Sequence, residues 1–215
     1  MPQLRNTIPK QFARVGKARS AAIINQQIST YSVLFRHKSI ADWQRGINQM
    51  QSVDNPNRGL IFDIYDGLID GHLESVMEKR KFSILNRVVE FLPDGQKETP
   101  DNIKEFVTHT PWMRDTLEYM TEAKPYGFSL LEYVPRGGFI QEVINTERRN
   151  VIPEWNALLY DQHNRNEGIN YLDDPMYSKY MMFIGGKKTY GKLMNAAQYV
   201  ILKRGGISLD RKSVV

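Results

Sequence analysis

Asp63, Asp66, Asp70 and Glu74 recur at three- and four-residue spacing, so a helix through them would carry a stripe of carboxylates. Hard cations take oxygen ligands, and such a stripe could hold Mg²⁺ for nuclease chemistry. Leu68, Leu73 and Met77 fall on the opposite side, which makes the same stripe the wet face of an amphipathic helix. Gly186-Lys187-Lys188-Thr189-Tyr190-Gly191-Lys192-Leu193 nearly spells a phosphate-binding loop. That loop needs a Ser or Thr hydroxyl after its lysine to ligate Mg²⁺, and Leu193 has none. The segment then reads as a helix-opening turn with solvated lysines. His37, His72, His109 and His163 are scattered without ligand spacing, and Asp161–Asp174 matches a calcium loop in composition only. Ser129 lacks the G-x-S-x-G elbow, and the chain has no cysteine to serve as nucleophile or thiolate ligand. The expectation is a non-enzyme with no cofactor, no metal site and no catalytic residue.

Binding chemistry is better represented. Residues 1–41 hold seven basic side chains (Arg5, Lys10, Arg14, Lys17, Arg19, Arg36, Lys38), and Asp42 is the first acid. All of the net +5 charge therefore sits in this arm. Such an arm could touch phosphates through a salt-sensitive, sequence-independent attraction, or act as an acid-poor transit peptide. The usual fate of such a charge run is a solvated or partner-facing tail, and Thr7-Ile8-Pro9 and Asn25-Gln26-Gln27 break up the amphipathic helix a transit peptide needs. Tyr126, Phe128, Tyr133 and Phe139 flank Arg136, and with Trp43, Trp112 and Trp155 they could stack bases. Aromatic residues in half-buried strands more often fill the core. The candidate DNA or partner contacts are Arg14, Lys17, Arg19, Arg36, Lys38 and Arg136.

The elements that would position these residues follow from periodicity and punctuation. Ser39 opens a helix to Met50, with Trp43, Ile47 and Met50 at helical spacing. A second helix is expected over residues 60–77, weakened by Gly67 and Gly71, then a strand over Phe82–Leu92 closed by Pro93-Asp94-Gly95. Thr99-Pro100-Asp101 and Thr110-Pro111-Trp112 open helices that end near His109 and at Lys124-Pro125. Phe128–Val134 and Phe139–Asn145 form a hairpin about Arg136-Gly137-Gly138. Short strands follow Pro153, and a last helix from Tyr190 to Lys203 is closed by Gly205-Gly206. Ile23, Ile24, Ile28 and Tyr31 could form a short strand or helix in the arm.

With 215 residues and 41% hydrophobic content, the chain can bury a sizeable core. No run approaches the roughly 18 apolar residues of a membrane helix, so no membrane partner is expected. The pattern predicts an α+β fold, helices packed on a mixed or antiparallel sheet. It divides into a basic arm (1–38), an α+β domain (39–205) and a C-terminal tail (206–215).

Taken in order, these segments resemble portal proteins of the Mu-like phage class, particularly those of phages and prophages of Bacteroidetes. The carriers are Ile40-Ala41-Asp42-Trp43 with Arg45, Asp70–Val76 with Arg80, Tyr126-Gly127-Phe128-Ser129-Leu130-Leu131-Glu132, and Ala196–Arg204. The likeness runs from about Ile24 to Asp210. It implies a wing-like domain of a structural virion component, the head–tail connector at one capsid vertex. Such a subunit forms a ring, usually of twelve copies, through which double-stranded DNA is packaged by a terminase and later ejected. Partners would be further copies of the chain, terminase, and capsid and tail proteins, in the virion and in the host bacterial cytoplasm during assembly. Members of the family continue past the lysine–arginine string into a stem helix and clip. The chain is therefore expected to be an amino-terminal portion, from a truncated gene or as a fragment. Two rivals stand beside this reading: a nucleic-acid-binding module using the arm and Arg136, and an Mg²⁺ nuclease built on the carboxylate stripe.

Overall fold

The computed structural model describes residues 24–28, 39–69, 71–87, 101–187 and 190–212. Helix α1 (Ile40–Met50) opens where expected. Ser39 caps it, accepting from the Asp42 N–H while the Asp42 carboxylate accepts from the Ser39 N–H. Its apolar side, with Met50 buried, turns to the core, and the Trp43 indole N–H donates to the Met194 carbonyl at 3.3 Å.

The single helix expected over 60–77 is in fact two, α2 (Gly59–Leu68) and α3 (Gly71–Leu85). The break comes at Ile69, whose ψ of 107° is extended, between the two glycines that weaken the segment. The strand expected from Phe82 is also corrected: Phe82–Leu85 continue α3, Asn86 and Arg87 turn after it with their N–H groups donating to the Phe82 and Ile84 carbonyls, and residues 88–92 lie outside the described residues. The aromatic and β-branched content is overridden by helical contacts. Leu73, Met77 and Lys81 share one side at four-residue spacing; Leu73 and Met77 pack on the core, while Lys81 pairs with Glu78 and with Glu118 of a later helix. The Glu78 bond, against the opposing effect of burial and with Glu118 adding to it, holds the Lys81 ammonium up to about 12.

Helices α4 (Asp101–His109) and α5 (Pro111–Tyr126) follow, α5 starting on the expected proline. It runs through Pro125 and closes at Gly127, which has φ 101° and donates its N–H to the Ala123 carbonyl at 2.8 Å. Strands β1 (Phe128–Arg136) and β2 (Phe139–Asn145) make the expected hairpin, with a register shift at Val134/Pro135 where a proline is tolerated. A second antiparallel sheet is built from β3 (Val151–Ile152), β4 (Ala157–Asp161) and β5 (Asn164–Asn170). Strand β6 (Met181–Gly185) returns to the other edge of β1, giving the order β2-β1-β6. All described strand pairs are antiparallel, within an α+β fold.

Helix α6 spans Gly191–Lys212, so Gly205-Gly206 do not close it as expected. Glycine lowers helix propensity without blocking helical φ and ψ; a stop requires the left-handed turn. At its start, glycine is required. Gly191 has φ 74°, and a Cβ there would lie 2.2 Å from the Pro125 carbonyl oxygen.

Side chains alternate across β1. Ser129 and Tyr133 meet α5, through a hydroxyl bond to the Tyr119 carbonyl and an edge contact with Trp112. Phe128 and Leu130 enter the main core with Ile61, Phe62, Ile64 and Tyr65 of α2, Leu158, Ile169, and Leu193 and Ala197 of α6. The Phe128 ring meets Phe62 edge-on at 5.9 Å and stacks on Phe183 at 5.7 Å.

Candidate interaction surface

Arg149, in the short 3-10 turn after β2, reaches back to α2. Its Nε donates to Asp63 at 3.0 Å, Nη1 to Glu147 at 2.9 Å, and Nη2 to Asp66. Burial disfavours the charged guanidinium, but Asp66, Glu147 and Asp63 outweigh it, and the net shift is upward. The sequence stripe is thereby dismantled: Asp63 and Asp66 face a cation, Glu74 stands exposed on the next helix, and Asp70 lies outside the described residues. Among the described residues no group of three His, Cys, Asp or Glu side chains is placed to hold a metal.

Two more arginines pin the layers together. Arg148 donates to Glu122 at 2.7 Å, to the Ser129 hydroxyl and to the Phe128 carbonyl, and lies 4.3 Å over the Tyr126 ring. Ser129 is thus a structural hydroxyl. Arg58, buried at the start of α2, donates to Glu154 at 2.5 Å and to the Lys187 carbonyl at 3.1 Å, with Phe128 and Tyr190 against its guanidinium. Arg204 of α6 donates to the Gly67 and Leu68 carbonyls, where a cation suits the C-terminus of α2. Leu193, at the position a phosphate loop would fill with a hydroxyl, is buried core.

A carboxylate sits where none is expected. Glu132 of β1 is 4% exposed and accepts from the Ile24 N–H at 2.5 Å, the Asn25 N–H at 3.0 Å and the Asn25 side-chain amide at 2.6 Å. Residues 24–27 form a 3-10 turn, and Ile24 is fully buried in the main core. The arm is therefore anchored at Ile24 and Asn25 by a residue more than 100 positions away in sequence. Glu132→Ala should speed hydrogen exchange of the Ile24 and Asn25 amides by tenfold or more, while that of Leu131 is unchanged. A lost hydrogen bond to a charged group is worth about 1.5–3 kcal/mol, which sets that scale. Equal exchange in the two proteins would contradict the anchor.

Of the candidate contact residues, Arg136 is exposed at the hairpin tip, between Gly137 (φ 61°) and Gly138 (φ 86°) on one side and the strand on the other. Phe139 beside it is 78% exposed. The rest of the aromatic set splits: Phe128 is fully buried, and Tyr126 and Tyr133 are half-buried. Arg14, Lys17, Arg19, Arg36 and Lys38 lie outside the described residues. Arg58, Glu132, Arg148 and Arg149 are not among the residues singled out by their sequence pattern. For Glu132 a signal existed, a charge interrupting the apolar run Phe128–Val134. For Arg149 none did, since its α2 partners are 83 and 86 residues away.

The arginines and the anchored 24–27 turn build a pinned scaffold that presents the hairpin tip at Arg136. A family model described as the portal protein of Mu bacteriophage matches residues 62–209, more than half of the chain. The chain belongs to the Mu phage portal family. Comparison with curated proteins and with solved structures finds no match. The portal match begins within α2 and ends within α6. It includes three of the strings that carry the resemblance; Ile40-Ala41-Asp42-Trp43 with Arg45 lies before it. Portal membership makes the chain a structural virion component concerned with DNA packaging and head–tail connection. No helix among the described residues is long and apolar enough to cross a membrane.

Proposed function

We propose that the chain is a subunit of a portal ring, the channel at one capsid vertex through which double-stranded DNA is packaged and ejected. The single observation that carries this is the portal family match across α2 to α6. The ring would be of about twelve copies, as the family resemblance implies, with terminase, capsid and tail proteins as partners in the host cytoplasm and then in the virion. The arginine-pinned core suits that duty, because a subunit of a ring under packaging load must keep its shape. Residues 39–205 would form the wing-like domain. Mass photometry of the purified chain should give species of many subunits and ring-shaped particles by negative-stain microscopy. A strict monomer at all concentrations would overturn the reading.

A second reading, a nucleic-acid-binding module, is favoured by the exposed Arg136 at a projecting tip and by the acid-free arm. Arg14, Lys17, Arg19, Arg36 and Lys38 would make phosphate contacts with it. Each lost phosphate contact lowers the salt slope of duplex binding by about 0.9. Deleting residues 1–38, with seven cations, should then flatten the slope several-fold, and Arg136→Ala should lower it by about one contact. Unchanged retention of duplex DNA by both variants would end this reading.

A further inference from the structure

Three buried polar atoms bond to no protein group among the described residues: the Arg58 Nε–H, the Glu154 Oε2 and the Tyr171 hydroxyl. Arg58 and Tyr171 are each 3% exposed. A buried donor or acceptor without a partner costs the desolvation of that group, and more when the group is charged.

The contacts around these atoms bring them to one place. Arg58 meets Glu154 end-on, Nη2 donating to Oε1 at 2.5 Å. Nε and Oε2 each share a carbon with an atom of that bond, so they flank it. Tyr171 comes in beside them. Its N–H donates at 3.0 Å to the carbonyl of Asn156, two residues past Glu154. Its ring stacks on Phe183, which stacks in turn on Phe128 against the Arg58 guanidinium. The hydroxyl lies within the field of both charges: burial raises its pKa, Glu154 raises it further, and Arg58 opposes them.

The chemistry of the set selects its occupant. It offers one donor, one acceptor and one hydroxyl that serves as either. A cation would meet the guanidinium and an anion the carboxylate, so the fitting ligand is neutral. Water accepts from the Nε–H and from the hydroxyl while donating to Oε2, and buried waters typically make about three such bonds.

We propose that Arg58, Glu154 and Tyr171 hold one ordered water molecule as a structural ligand of the fold. The water completes a buried ion pair that would otherwise keep part of its desolvation cost. Because Arg58 Nη2 also donates to the Lys187 carbonyl at 3.1 Å, the segment leading into α6 joins the same point. The start of α2, the turn between β3 and β4, the residue after β5 and the approach to α6 are thereby fastened together beside the main core.

Tyr171→Phe tests this by the sign of its effect in urea unfolding of the full chain. Removing a hydroxyl that bonds to the water should raise the unfolding equilibrium constant by about fivefold. Removing a buried hydroxyl that bonds to nothing would leave the protein as stable as before or more so, and that result overturns the proposal. A direct bond from the hydroxyl to Glu154 would also give a loss, so a high-resolution electron-density map of the full chain separates the two. The map should show one peak within hydrogen-bond distance of Arg58 Nε, Glu154 Oε2 and the Tyr171 oxygen. A map in which the hydroxyl closes directly on Oε2 with no peak between the three groups overturns the proposal, as does a peak that refines as an ion.

Discussion

Replacing Phe128 by alanine should remove about 4 kcal/mol of folding stability, the largest effect expected of any single truncation in this chain. Phe128 is fully buried and touches three side chains at once: Phe62 of α2, Phe183 of β6 and the Arg58 guanidinium at the start of α2, 5.3 Å from its ring. The loss combines the transfer of an aromatic side chain with a cavity that rigid neighbours cannot fill. Domains are commonly stable by only about 5–15 kcal/mol, so the variant would be near the edge of folding. Urea unfolding followed by far-ultraviolet circular dichroism and by tryptophan fluorescence checks this. Phe128→Leu should lose less than half as much, because most of the volume is kept. A loss below about 1 kcal/mol for the alanine variant would mean the core is not organised about this ring.

Arg149→Ala should cost about 3 kcal/mol, by a different mechanism. The guanidinium is 9% exposed and bridges Asp63, Asp66 and Glu147, so its removal leaves carboxylates facing each other without a counter-ion. Removing one partner of a buried pair typically costs about 3–5 kcal/mol. The lower end applies because Asp66 is more than half exposed and keeps its water. At roughly 3 °C per kcal/mol for a chain of this size, the melting temperature should fall by about 9 °C. Arg149→Lys should recover only part of this, since an ammonium cannot match three acceptors with a planar fork. Adding Asp63→Asn to Arg149→Ala should recover part of the loss by removing one orphaned charge. If the double variant is no more stable than the single one, the cost does not arise from unpaired carboxylates. Melting curves by differential scanning fluorimetry of the four proteins decide it.

Local signals were legible where the chemistry is local. Ser39 with Asp42, Pro111 after Thr110, the Gly137-Gly138 turn and Gly127 are each sufficient within a few residues to start, stop or reverse the chain. The residues from Phe82 and those around Gly205 misled for the complementary reason: their propensities for strand and for termination are a fraction of a kcal/mol to about one, and the contacts and propagation of a formed helix exceed that. The order of such segments also sufficed to point to the portal family. What the sequence could not carry is pairing at long range. Composition and local pattern were enough to establish an α+β chain with an acid-free arm. It took the folded chain to reveal that Asp63 and Asp66 serve Arg149, that Glu132 anchors Ile24 and Asn25 of the arm, and that Arg58 joins α2 to Glu154 and Lys187. Each of those is a partnership between groups many residues apart, and the energy of such a contact depends on distance in space, which spacing along the chain does not encode.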